Sequence, residues 1–329
     1  MTTSDQTHKV QNWSEYNEAL VDRGRLTVWF GEEAIENWKH DGPTQQGAQW
    51  IFTDLAVKTC LQIKVVYGLT LRETEGFVES IVEMMGLEKQ MPVPDYTTLS
   101  KRQGDLDIEI QSSKGSLVGG EGGSKEDKVH LVIDSTGLKV YGEGEWKQRI
   151  HGKQKRRTWR KLHLGVDSDT GEITAVGLTD NTSHDGSQVE NLLEQTLDQT
   201  DKELSAVGGD GAYDAWDVYD AITDREATPV IAPQRNAKIK KHGNCSGPPL
   251  PRDEAIRYIR GHGRKKWKRV SGYHRRSLAE TAVYRFKQLM GRFVEARRWE
   301  NERTEVRLKA KALNKMTRLG MPETSTTAV

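Results

Sequence analysis

The chain has 329 residues, enough for one large domain or two ordinary ones, with 29% charged residues and a net charge of +1. Recurrent tryptophans and turn-bounded apolar runs exclude a disordered chain, and two distant cysteines, Cys60 and Cys245, exclude a disulfide framework and a zinc site. No apolar stretch reaches membrane-spanning length and the opening MTTSDQTHKV has neither an apolar signal core nor a basic leader, so the sequence predicts a cytoplasmic protein. The near-neutral total hides an asymmetry: residues 1–130 carry an excess of about eight acids and residues 235–320 an excess of about eighteen bases, which points the C-terminal third towards a polyanion.

In chain order, residues 12–40 hold a sparse aromatic and aliphatic pattern compatible with short helices or a structured arm. A helical signal starts near Trp50, with Phe52, Leu55, Ala56, Cys60 and Ile63 at helical spacing. A second follows Thr70, whose spacing to Glu73 predicts a capping box, and a third starts at Asp95. Three helices joined by short turns suit a helix-turn-helix type of module or an all-helical packing domain. Lys101 and Arg102 are its candidate phosphate contacts. Residues 111–128, rich in Gly, Ser and charge, predict a flexible linker between a mainly helical domain, 1–110, and a second domain, 129–322, followed by a tail, 323–329.

Past the linker the periodicity changes. KVHLVIDSTG is a short apolar run with a carboxylate inside it, and RKLHLGVDSDTGEITAVGLT reads as strand, turn and strand. A helix follows, with Ser187 to Glu190 spaced as a capping box, then strand, helix, strand and closing helices; a basic insertion occupies about 236–270. The fold class is therefore α/β.

Asp134 and Asp210 each end an apolar run and precede a Gly-containing turn. Desolvation raises the pKa of such a carboxylate unless a cation compensates, although Asp also caps turns at these places. Tyr273, Arg276, Glu280 and Lys287 fall within roughly 60° of one another on one helix. The three acids are candidate ligands for magnesium or manganese, and two such ions about 4 Å apart would activate a water or a 3′ hydroxyl for phosphodiester chemistry. Arg276 and Lys287 would grip phosphates and Tyr273 would position or stack on the strand. Glu280 and Arg276 also suit a plain helix salt bridge.

The motifs VIDSTG, WRKLHLGVD and GDGAYD, with the spacing of Tyr273, Arg276, Glu280 and Lys287, resemble the DDE transposases of bacterial insertion sequences, in particular the insertion-sequence-five group. The resemblance extends over about residues 50–320. It implies a ribonuclease H-like mixed-sheet catalytic domain in which Asp134, Asp210 and Glu280 bind metal, preceded by a domain that recognises terminal inverted repeats. It also implies double-stranded DNA as partner, a homodimer or larger synaptic assembly, and a place beside the prokaryotic nucleoid. Arg156, Arg157, Trp159 and Arg160, with Lys153, Lys155 and Lys161, suit phosphate contact beside an aromatic, and Lys265, Lys266 and Lys268 of the insertion face DNA on the same reading. His184 and Asp185 stay outside the catalytic set, since Asp185 suits a helix cap. A repeat-end-binding protein without catalysis and a ribonuclease H-like nuclease without strand transfer are the alternatives.

Overall fold

The computed structural model describes residues 7–40, 51–110, 128–140, 159–200, 202–241 and 247–327. Its backbone contacts divide the chain into two compact units, residues 1–107 with 312–329, and residues 108–311. The predicted linker lies outside the described residues as far as residue 127.

The first unit is helical, with a small ribbon in which β1 (Thr7–Val10) pairs antiparallel with β8 (Thr324–Thr327). Short helices α1 (Trp13–Arg23), α2 (Leu26–Trp29) and α3 (Glu32–Glu36) account for the aromatic pattern near the N-terminus. Helix α4 (Asp54–Tyr67) starts later than its apolar run because the Thr53 hydroxyl accepts from the Ala56 N–H at 3.2 Å, and it ends on Gly68 in the left-handed conformation, φ +66°. In α5 (Leu71–Met84) the capping box forms as spaced: the Thr70 N–H donates to Glu73 Oε2 at 2.7 Å, and the Glu73 N–H to Thr70 Oγ1 at 3.3 Å. Asp95 caps α6 (Tyr96–Arg102), accepting from the Thr98 N–H at 2.6 Å. Val57, Cys60, Leu61, Val78, Ile81 and Leu99 are buried in this unit. Arg102 does not face solvent as a phosphate contact: its guanidinium donates to the Phe52 carbonyl at 2.6 Å and pairs with Asp54.

The second unit is built on a mixed sheet of order β4-β3-β2-β5-β6. Strands β2 (Lys128–Val140), β3 (Trp159–Asp167) and β4 (Ile173–Asp180) form an antiparallel meander, while β5 (Glu203–Gly209) and β6 (Thr228–Ile231) run parallel to β2. Helix α7 (Val189–Thr200) joins β4 to β5 and α8 (Trp216–Thr223) joins β5 to β6. This is a ribonuclease H-like mixed α/β fold with helices before it. One face of β2 presents Leu131 and Ile133 to a core with Leu192, Leu193, Val218 and Ile222 of α7 and α8. Alternate residues point the other way, where α11 (Ser277–Leu289) packs across β2 and β3. A two-residue strand, β7 (Phe293–Val294), extends the far end of β2, and α12 (Trp299–Leu319) follows.

One local expectation fails. No capping box forms at Ser187; a 3₁₀ turn, Asp185–Gln188, leads into α7 and the Ser187 hydroxyl donates back to the His184 carbonyl at 2.7 Å. The basic insertion is a folded pair of helices, α9 (Pro251–His262) and α10 (Arg264–Val270). Buried Asp253 anchors it by accepting from the Lys240 and Lys241 N–H groups at 2.8–3.1 Å, and Arg252 grips buried Asp214 through two bonds of 2.6 and 2.9 Å.

Candidate active site

Strand β5 pairs with β2 only as far as Val132 opposite Gly208, so Asp134 lies two residues past the last β5 partner while still paired with Leu164 of β3; the Gly-containing turn expected after it is instead a continuation of β2. The chain leaves β5 there through Gly209 and Asp210. Strands β3 and β5 flank β2 on opposite sides, and the carboxyl ends of strands at such a branch point are where open α/β sheets form clefts. Gly209 permits the turn to close: a Cβ there would stand 3.0 Å from the Tyr213 ring.

Asp134 is half-buried, and one of its oxygens accepts from the Ser135 N–H at 2.9 Å. Burial, reinforced by the negative charges of Asp210 and Glu280, raises its pKa to about 6 against the opposing effects of the Ser135 N–H and the Arg276 guanidinium. Asp210 caps the 3₁₀ turn Gly211–Tyr213 through a 2.8 Å bond from the Ala212 N–H. Its turn-capping and its membership of the acidic cluster therefore coexist.

The Tyr273-to-Lys287 stretch is not one continuous α-helix. Tyr273–Arg276 is a 3₁₀ turn set by Gly272 at φ +70°, and α11 starts at Ser277. The four side chains are still brought to the same neighbourhood. Arg276 donates to Glu280 Oε1 at 2.5 Å and its guanidinium lies 5.7 Å from the Tyr273 ring centroid. Burial raises the Tyr273 hydroxyl pKa, with Asp210 and Glu280 adding to the rise. Burial and Arg292 lower the Lys287 ammonium, and Asp134 pulls the other way. Lys268 of α10 reaches over the Tyr273 ring at 4.9 Å, whereas Lys265 and Lys266 are exposed and Trp267 is buried against Tyr273 at 5.5 Å.

The other predicted contacts divide differently. Arg156 and Arg157 lie outside the described residues. Trp159 packs over the Gly137 backbone, where a Cβ would meet its ring at 3.3 Å. Arg160 is turned inward: its Nε and one terminal nitrogen bond Glu302, whose side chain is 1% exposed, at 2.5 and 3.2 Å, and Trp299 lies against the guanidinium at 5.0 Å. It is a clasp within the fold, because a buried carboxylate needs a charged partner.

Sequence reasoning set Asp185 aside as a cap, but its side chain caps nothing. Asp185 pairs with Lys161 at 2.9 Å and stands 3.7 Å from His163 Nδ1, and together with Asp134 and Asp210 it reinforces the burial that raises the Tyr213 hydroxyl pKa. The available signal was the alternation along β3, which sends Lys161 and His163 to one face. His163 has no exposed surface, and burial assisted by Lys161 brings its pKa down to about 4 despite Asp185. The folded state thus excludes a proton that the unfolded chain binds near pH 6.5, so stability is full above about pH 6.5 and falls as pH drops towards about 4. His163→Gln is expected to flatten the Tm profile across that window; an acid limb unchanged in the variant would place the loss elsewhere.

The donor chemistry of Asp134, Asp210 and Glu280 is all carboxylate oxygen, the type hard divalent cations select, and the burial that lifts Asp134, with the smaller push of its two acidic neighbours, is what a cation offsets. Among the described residues no three acidic, His or Cys side chains stand close enough to hold an ion as they are, and Glu280 is engaged with Arg276.

A profile described as the transposase DDE domain matches residues 125–315, more than half of the chain, and a second one of the same description matches residues 21–143. The chain belongs to the DDE transposase family. DDE transposases are DNA-transposing enzymes and generally use divalent metal. Among solved structures, the chain is similar to a piggyBac transposase synaptic complex with hairpin DNA at 12% identity and a TM-score of 0.38, covering 94% of this chain and 76% of that one. It is also similar to the Drosophila P element transposase strand transfer complex at 11% identity and a TM-score of 0.31, with 93% and 90% covered. No helix among the described residues of this DDE transposase is long and apolar enough to cross a membrane.

Proposed function

We propose that this transposase mobilises an insertion sequence of the insertion-sequence-five group, binding its terminal inverted repeats, cutting there and joining the freed 3′ hydroxyls to target DNA. The observation that carries the reading is that the charges of Asp210 and Glu280 both act on half-buried Asp134, with Arg276, Lys287 and Tyr273 around them. Magnesium or manganese, two ions held by the three carboxylates, would supply activation of the attacking oxygen and stabilisation of the leaving one. Arg276 serves as Glu280's counter-ion in the free protein and as a phosphate ligand when the backbone arrives. Lys287 and Lys268 hold the same strand, and Tyr273, packed on Trp267, fixes its position. Exposed Lys265 and Lys266 extend this basic track. The helical unit, residues 1–110 by sequence, reads the repeats, and pairing two ends calls for at least a homodimer.

The test uses the purified protein and a plasmid carrying the DNA that flanks its gene, with magnesium, manganese or EDTA, and maps strand ends and joined products. Metal-dependent breaks at paired repeat ends with joined products are expected. Bound ends that stay uncut in either metal would overturn the enzymatic reading, and cut ends never joined would replace transposition with nuclease action.

A further inference from the structure

Strand β4 is an edge of the sheet, and the outward backbone groups of an edge strand need a cover. At Val176 the cover is the carboxamide of Gln195 on α7: the Val176 N–H donates to Oε1 and Nε2 donates to the Val176 carbonyl, both at 3.2 Å. This double contact fixes which end of the Gln195 amide is oxygen. The assignment then propagates. Gln195 Nε2 also donates to Asn191 Oδ1 at 3.1 Å, so Asn191 Nδ2 points onward, donating to Gln188 Oε1 at 3.4 Å. Arg307 donates into the other end of the chain, to Gln195 Oε1, at 3.4 Å. Among the described residues the Gln188 NH₂ and the second Asn191 N–H are left as donors, beside one lone pair each on Gln188 Oε1 and Asn191 Oδ1.

These residues line a cavity of 330 Å³ between β4, α7 and the first turns of α12, completed by Trp299 and Arg303. Among the described residues no acidic side chain lines it, and Arg303 is exposed. Its α12 side carries the Trp299 ring beside Arg303 and Arg307, and the other neighbour of that ring is the Arg160 clasp. Gly177 keeps the floor open, since a Cβ there would come within 3.1 Å of Gln188 Oε1. Amide donors at α7 facing two cations and an aromatic on α12, in a volume far larger than a lone phosphate, specify a ligand that is anionic, acceptor-rich and planar in part.

We propose that this cavity is a nucleotide subsite, taking one nucleotide of a DNA strand with its phosphate towards Arg303 and its base against Trp299. The proposal rests on the transposase reading only for the source of the nucleotide. It lies two strands away from β2 and uses none of the candidate catalytic residues.

The test is crosslinking of an iododeoxyuridine-bearing single strand, unrelated in sequence to any repeat end, in EDTA, with peptide mapping and anisotropy titration. Two variants accompany the wild type. Asn191→Asp keeps the oxygen that accepts from Gln195, and hence the edge cover, while placing a carboxylate towards the ligand; exposed Arg303→Ala cannot upset the core. The expected result is a crosslink at Trp299, reduced roughly tenfold in both variants, with the salt slope of binding lowered by about 0.7 in Arg303→Ala. Thymidine monophosphate should compete where inorganic phosphate does not. Crosslinks only outside Trp299, or undiminished crosslinking in both variants, would overturn the proposal, as would equal competition by phosphate. Because no cutting is needed, failure of the end-cleavage test leaves this result intact.

Discussion

Asp134→Asn is expected to abolish strand cutting, by about a thousandfold or more, while leaving affinity for repeat-end DNA close to wild type and raising the Tm. The loss follows if the carboxylates act as a unit, since removing one member of such a set costs nearly as much as removing all. The gain in stability follows from the burial of the same carboxylate, with the charges of Asp210 and Glu280 adding to it. The folded pKa of about 6 lies above the unfolded value of 3.8, so the folded state holds the proton more tightly, and stability falls as pH rises between them. Above about pH 6 the full cost stands, roughly 1–2 kcal/mol after discounting for solvent screening, and Asn removes it. In EDTA the variant should melt a few degrees higher near neutral pH, with the difference closing towards about pH 4. Lost cutting with an unchanged Tm difference across pH would separate catalysis from the electrostatic argument.

Arg160→Met has the largest expected effect on stability. The Glu302 carboxylate has no exposed surface of note and receives two bonds from Arg160, so the variant strands a buried charge at a cost of about 3–5 kcal/mol. For a unit of this size that is a fall of roughly 10 °C in Tm, measurable by calorimetry or denaturant titration. Arg160→Met with Glu302→Leu should recover most of it, because a buried pair replaced by apolar groups is close to neutral. If the single variant melts like wild type and instead loses DNA affinity, Arg160 is a phosphate contact as its basic surroundings in sequence suggest.

The contrast between Asp134 and Arg160 shows what could be read beforehand. Asp134 is legible because a carboxylate inside an apolar run is locally anomalous, and the capping pairs Thr70–Glu73 and Asp95–Thr98 are legible because their geometry is set within three residues. The strand and helix order of the sheet follows from periodicity in the same way. Arg160 and Arg102 are not legible: their partners, Glu302 and Asp54, stand 142 and 48 residues away, and a basic residue looks the same in sequence whether it meets a phosphate or a buried carboxylate. Asp185 was missed for a related reason. Its neighbours in the chain suggest a cap, and only strand pairing puts Lys161 and His163 beside it. The break between Tyr273–Arg276 and α11 depends on Gly272 adopting positive φ, a choice that helical spacing does not report.

The most direct test of the central claim, that Asp134, Asp210 and Glu280 form one cation-binding unit, is the Tm of the wild type against Asp134→Asn, Asp210→Asn and Glu280→Gln, titrated with magnesium and with manganese above about pH 7. The account predicts that metal raises the wild-type Tm in a saturable way and that each single substitution removes most of the rise. Metal-induced shifts of equal size in all four proteins would contradict it.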